Sequence, residues 1–392
     1  MSVIEEPVLT PDQRALVREA ARHTAHYRLF DNDVTLAGNL RWPLERFARM
    51  YFMFAQKTAP ARSDITVLFH AEGTEQEGTL TFLVDEQAYR IADPLAFQIV
   101  WSTFMHLILR RLDTHFVFHA GCVARDGRGI AIAGASGMGK STLVSHLAST
   151  GLALLSDELV PFARKTHRVC PFPARVGIRE GPAMALIGNN AAEHFAFRDE
   201  RKRLLPVEAL AGQLPSEPVA LHAAVFLSSD TEPQVRTPRK SAYVWRVAFA
   251  TRESDFERAL LKRAGVRLIE RSTWETYPAL LLRVREPAKF HPEFQALVER
   301  HGAQLISIEY EDLKRPDYAK PPKLTPLPGP AGVLELVKKM PAAHKTALIE
   351  REFGGKMARL VAELSAAVHG ARFYKLRPGR IHETVNLVEE LL

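Results

Sequence analysis

Apolar positions along this chain repeat with two periods. Between residues 11 and 27, Leu16, Val17 and Ala20 share one helical face behind Thr10, a plausible N-cap, so a helix is predicted there. Residues 42 to 54 read as a second helix, and its Phe47, Tyr51, Met53 and Phe54 read as core packing. Short β-rich runs at 65–69 and 79–84 predict strands, and 94–111 predicts a long apolar helix. The run 116–124 is again β-rich. It is expected to pair with 130–133 across the turn Asp126-Gly127-Arg128-Gly129. Residues 143–149 read as a helix, and 152–156 and 223–227 as buried strands. Further on, 256–263 and 292–301 are predicted helices and 303–310 a strand. Helices are expected at 333–340 and 345–369, the latter capped by Gly370. A strand at 373–376 leads to an amphipathic helix, 381–392, that aligns Ile381, Val385, Val388 and Leu392.

These elements predict an α/β chain with two domains. Residues 1–98 form a small N-terminal α/β unit without a catalytic constellation, and 99–392 carry the chemistry. Six prolines between 315 and 330 (Pro316, Pro321, Pro322, Pro326, Pro328 and Pro330) read as a stiff linker ahead of a C-terminal helical segment.

Composition narrows the function classes. Of 392 residues, 46% are hydrophobic and 25% charged, ordinary globular values. No apolar run reaches membrane-spanning length, and the acidic start Met-Ser-Val-Ile-Glu-Glu has no apolar signal region. With only Cys122 and Cys170, no disulfide framework is expected, and the cytoplasm is the expected compartment. The net charge of +7 suits an acidic ligand such as a nucleotide, or an acidic protein partner. The densest basic run, 198–203, is mixed in sign and reads as a solvated face. Nucleic-acid binding is not expected, and the sequence leaves a homo-oligomer open.

The candidate chemistry is concentrated in Gly134-Ala135-Ser136-Gly137-Met138-Gly139-Lys140-Ser141-Thr142, which matches G-x-x-x-x-G-K-[ST]. The apolar run Ile130-Ala-Ile-Ala133 precedes it and a helix follows, as a phosphate-binding P-loop requires. Its glycines let successive N–H groups face one anion, and the helix N-terminus adds partial positive charge. Lys140 is expected on the outer phosphates of ATP, and Ser141 on Mg²⁺. A carboxylate must also lie near the metal or the nucleophile. Asp157 closes a buried strand and is the first candidate, with Glu158 beside it. Asp230, ending another apolar strand, is the rival in a motor-type ATPase arrangement. His119 lies within a strand and, alone, reads as readily as a core or surface histidine.

Together the runs Phe118-His-Ala-Gly-Cys-Val-Ala, Asp-Gly, the loop Gly-Ala-Ser-Gly-Met-Gly-Lys-Ser-Thr-Leu and Leu-Leu-Ser-Asp-Glu-Leu resemble HPr kinase/phosphorylase and its related kinases. Pro171-Phe-Pro-Ala-Arg-Val-Gly-Ile-Arg179 is similar to a stretch in those related proteins. The resemblance implies a P-loop core with a mixed sheet, like that of phosphoenolpyruvate carboxykinase. It also implies Mg-ATP-dependent transfer to a serine of a protein or peptide. Asp157 is implied as the base that takes the hydroxyl proton, His119 as an assistant near the transferred phosphoryl, and Glu158 as the second acid. Metal contacts are implied for Ser141, Asp157 and Glu158. Glu158 stands where the family carries a second Asp. The alternatives are a nucleotide-binding regulatory or assembly module, and a P-loop ATPase without transfer.

Overall fold

The computed structural model describes residues 10–74, 78–84, 87–91, 98–134, 138–174, 176–178, 197–198, 203–205, 217–228, 243–249, 254–274, 277–285, 287–303, 305–311 and 318–392. It is a mixed α/β protein that divides into two compact units. Residues 3–231 and 316–392 form one, and 232–315 the other.

The large unit is built on a nine-stranded mixed sheet. Its strands are β1 (His115–His119), β2 (Gly121–Arg125), β3 (Arg128–Ala133), β4 (Ala153–Ser156), β5 (Leu159–Ala163), β6 (Arg168–Val169), β7 (Val219–Leu227), β8 (Lys323–Leu327) and β9 (Arg372–Arg377). Its helices are α1 (Lys140–Ser149), α2 (Gly329–Lys338), α3 (Ala342–Arg351), α4 (Met357–Ala367) and α5 (Ile381–Glu389). Strands β3, β7 and β9 are parallel neighbours, with Phe226 opposite Ala133 and Leu227 opposite Leu376. The β2–β3 hairpin forms as expected: Arg125 pairs with Arg128, and both Asp126 and Gly127 have positive φ.

One expected strand is two. The run 116–124 breaks at Ala120, so β2 pairs with β3 while β1 pairs with β5, setting His119 opposite Leu159. The partner run breaks in the same way: β4 pairs with β2, β5 with β1, and Asp157 and Glu158 lie at the break. The Ala120 N–H donates to the Glu158 carbonyl at 3.2 Å, which ties the two bends together. Alternation assigns the faces. Phe116, Phe118 and Ala120 join Phe162, Phe226 and the apolar sides of α2, α3 and α4, while Val123, Ile130 and Ile132 pack under Leu143, Val144 and Leu147 of α1 and Val385 and Val388 of α5.

Other elements differ from the sequence reading. The helix expected over 345–369 splits into α3 and α4 at Gly354-Gly355, both with positive φ, a conformation that side chains with a Cβ resist. Within the proline-rich run, β8 pairs only with β9 among the described residues, so Pro326 occupies an edge strand, the place in a sheet where proline is tolerated.

The N-terminal segment carries a six-stranded sheet, in the order Ala55–Gln56, His23–Leu29, Asn32–Gly38, Ile65–Gly73, Gly78–Val84, Gln87–Ile91. The first helix stops at Glu19. The end of the span expected as helix, up to Tyr27, lies instead in the strand His23–Leu29, which pairs along its whole length with Asn32–Gly38 and buries Tyr27 and Leu29. Helix Trp42–Tyr51 buries Phe47, Met50 and Tyr51 against this sheet, joined by Phe104, Met105 and Ile108 of helix Gln98–Arg111. The smaller unit is a four-stranded antiparallel sheet, Val266–Trp274, Tyr277–Val284, Tyr243–Phe249 and Leu305–Glu311. Phe290 and Phe294 of helix Pro287–His301 pack on Trp245 there, and Phe256 of helix Ser254–Leu261 meets Phe294 in the same core.

Candidate functional site

The carboxyl ends of the parallel strands and the bend at Asp157 bring most of the described candidate residues together. Gly134 follows β3, and any Cβ there would lie 2.9 Å from Cβ of Leu227, so only glycine lets the chain leave the sheet this close to β7. Ala135, Ser136 and Gly137 lie outside the described residues, as does Asp230. Met138 is buried in the core beneath α1. Gly139 caps α1 with φ +88°, a left-handed turn that aims the head of the helix back toward the strand ends. Lys140, Ser141 and Thr142 form the first turn of α1, which begins at Lys140 and not at Leu143 as the pattern suggested. Four residues farther on, the Ser145 hydroxyl donates to the Ser141 carbonyl at 2.7 Å and His146 Nδ1 lies 2.8 Å from the Thr142 carbonyl. This pins the turn that would receive an anion.

Asp157 is only 4% exposed, an expensive place for a carboxylate unless it is partnered. Lys140 supplies the charge: its Nζ lies 3.7 Å from Asp157 Oδ1 and donates to the Asp157 main-chain carbonyl. The Gly177 N–H donates to Asp157 Oδ2 at 3.2 Å. Sequence reasoning did not find that contact. The stretch around Gly177 stood out, but a main-chain donor leaves no signature in residue type. Its placement is built from the core: Phe172 donates its N–H to the Leu155 carbonyl at 2.8 Å and its ring stacks on Phe30, with centroids 4.7 Å apart. The chain then runs to Val176, buried against α1, and so brings Gly177 to the carboxylate.

Glu158 is half-buried at the same bend. His119 is exposed at the end of β1, not on the strand antiparallel to β3 where the unbroken reading put it. Alternation sends it to the face of Val117, away from the Phe116–Phe118 core. The outer edge of β1 is covered: the His119 N–H donates to the Lys339 carbonyl at 2.7 Å, and the Val117 N–H to Nε2 of buried His344 at 3.3 Å. His344 Nδ1 lies 2.9 Å from the Leu109 carbonyl, which can only accept, so Nδ1 carries the proton. Burial pushes the His344 pKa down to about 4, keeping the ring neutral.

Among the described residues no three His, Cys, Asp or Glu side chains converge as a metal cage. Asp157, Glu158 and the Ser141 hydroxyl are all hard oxygen donors, the set that suits Mg²⁺ shared with a phosphate chain. No helix among the described residues is long and apolar enough to cross a membrane.

No protein-family model matches the chain, and no curated protein matches it. Among solved structures it is similar to an HPr(Ser) kinase/phosphatase from Coxiella burnetii, with 18% identity and a TM-score of 0.22, over 34% of this chain and 77% of that one. A likeness of that size carries no inference about activity, which must come from the residues themselves.

Proposed function

We propose that the chain is a cytoplasmic ATP-dependent kinase that transfers the γ-phosphoryl group to a hydroxyl, a serine of a protein or peptide. The observation that carries this reading is the meeting of Lys140 and Asp157. The cation of a G-x-x-x-x-G-K-S motif stands 3.7 Å from a buried carboxylate at a strand end. Lys140 and the head of α1 attract and orient the phosphate chain. Asp157, held by the Gly177 N–H, accepts the proton of the attacking hydroxyl as the new O–P bond forms and the bond to the ADP oxygen breaks. Ser141, Asp157 and Glu158 would hold Mg²⁺, which when bound neutralises charge on the transferring group. His119, exposed at the end of β1, would bond the transferring phosphoryl. Most of the rate gain then comes from positioning and charge stabilisation.

The test is the purified chain with γ-labelled Mg-ATP and a soluble protein extract. Label on a protein hydroxyl supports the reading. Release of labelled phosphate without transfer would replace it with a P-loop ATPase, and nucleotide binding with neither would leave a regulatory module.

A further inference from the structure

A second segment, more than 170 residues beyond Lys140 in the sequence, reaches the head of α1. The phenol oxygen of Tyr318 lies 3.4 Å from where a side chain at position 139 would begin, while 43% of the residue is open to solvent. This placement is built. Lys320 and the two prolines after it run against the turn that follows β9, where a Cβ on Gly379 would come 2.2 Å from the Lys320 carbonyl and 2.5 Å from Pro322 N. Arg377, the last residue of β9, donates from Nη2 to the Pro321 carbonyl at 3.1 Å. Pro321 and Pro322 have fixed φ, so an anchor there also restrains the neighbouring Tyr318. The strap is thus tied to the end of a strand that is parallel to β3 and separated from it only by β7. At its other end it offers a hydroxyl donor beside Gly139 and Lys140.

We propose that Tyr318 is a ligand-contacting residue of this site, whose hydroxyl donates a hydrogen bond to the polyphosphate of a bound nucleoside triphosphate. Arg377 and Gly379 act as positioning residues through the strap. The inference rests on the nucleotide reading above and adds a recognition element outside the G-x-x-x-x-G-K-S motif. Its chemistry is recognition of phosphate, not of the base: the group that reaches the helix head is the phenol oxygen, the part of the ring farthest from the backbone.

Calorimetric titration of the full chain with Mg-ATP and with Mg-tripolyphosphate, which lacks base and ribose, separates the alternatives. Tyr318→Phe keeps the ring and removes the donor. It is expected to weaken both ligands by a similar factor of roughly ten, the scale of one hydrogen bond to a charged acceptor. Gly379→Ala, which displaces the strap without touching Tyr318, is expected to weaken both in the same way. Unchanged affinities in Tyr318→Phe would overturn the proposal. Loss of ATP but not tripolyphosphate affinity in Tyr318→Ala, with Tyr318→Phe normal, would overturn it in favour of stacking on the base. Tighter binding in Tyr318→Phe would overturn it by showing that the hydroxyl obstructs the site. If the wild-type chain binds neither ligand, the nucleotide reading itself fails and takes this inference with it.

Discussion

The N-terminal six-stranded sheet and the nine-stranded sheet solve the same packing problem with different residues. Among the described residues, the buried polar or charged side chains are Arg46, Ser145, His146, Ser156, Asp157, Glu257, His344 and Thr384. Only Arg46 belongs to the N-terminal sheet and its helices, and Glu257 lies in the smaller unit, paired with Arg271 at 2.6 Å. The other six lie in or against the nine-stranded sheet, around α1, the Asp157 bend, the cover of β1 and, for Thr384, the turn into α5. The N-terminal core is instead aromatic: Phe47 meets Tyr27 at 5.0 Å, Tyr51 at 4.9 Å and Phe104 at 5.1 Å. Burying a polar group is costly unless it is partnered, so a region that concentrates such groups holds them for positioning as well as stability. The two regions meet at Phe172, which stacks on Phe30 of the N-terminal segment and lies on the stretch that delivers Gly177 to Asp157.

Five variants press on this contrast. The largest effect is expected from Asp157→Asn, which keeps an acceptor for the Gly177 N–H but removes the base. Phosphoryl transfer is expected to fall by roughly 10²–10⁴-fold while calorimetry still detects Mg-ATP; loss of nucleotide binding and transfer together would make Asp157 a binding residue only. Next, Phe47→Ala is expected to cost about 3–5 kcal/mol in denaturant unfolding, as large aromatic truncations do, and to leave Mg-ATP affinity unchanged. Phe172→Ala should combine a comparable cost with reduced turnover, because it also loosens the approach to Gly177. Equal turnover in the two variants would break the link drawn between the regions.

A smaller effect is expected from pH. The His344 pKa is about 4 in the folded chain, held down first by burial and also by nearby Arg351 and His115, against an ordinary value of 6.5. Below pH 6.5 the unfolded chain takes up a proton that the folded chain refuses. Stability is therefore complete above 6.5, declines as pH falls toward 4, and loses nothing more from this group below that. The decline amounts to about 3 kcal/mol. Denaturant titrations at pH 7 and pH 4.5 would measure it, and His344→Gln should flatten the difference attributable to this group. The smallest effect on the fold is expected from His119→Ala. This exposed side chain should cost less than about 1.5 kcal/mol of stability yet lower turnover by more than roughly tenfold, a smaller loss than the ~10²–10⁴-fold expected of the base itself. Unchanged turnover would return His119 to an ordinary surface role.

Much of the site can be read in the sequence because its parts are local. Gly134, Gly139 and Lys140 lie in one short run, and an apolar strand before it with a helix after it is a pattern of neighbours along the chain. The break at Ala120 could not be read that way. Phe116, Phe118 and Ala120 alternate in phase with Cys122 and Ala124, all on one face, so nothing in the pattern marks a strand that changes partners. The same limit explains β8, whose prolines signal a linker until β9 is known to pair with it.

The sequence by itself determined the strand before and the helix after the Lys140 motif, a short set of candidate acids in which Asp157 came first and Asp230 was its rival, and the apolar stripes that form each core. These depend on residues within a turn or two of one another, where φ/ψ preference and side-chain period act directly. Only the tertiary structure decided which carboxylate oxygen faces Lys140, that Gly177 holds the other, that His344 and Lys339 cover the edge of β1, and that Tyr318 reaches the head of α1. Each of these contacts joins distant parts of the chain through a main-chain group or a single polar atom. Such groups carry no periodicity, and their positions follow only once the cores beneath them are packed.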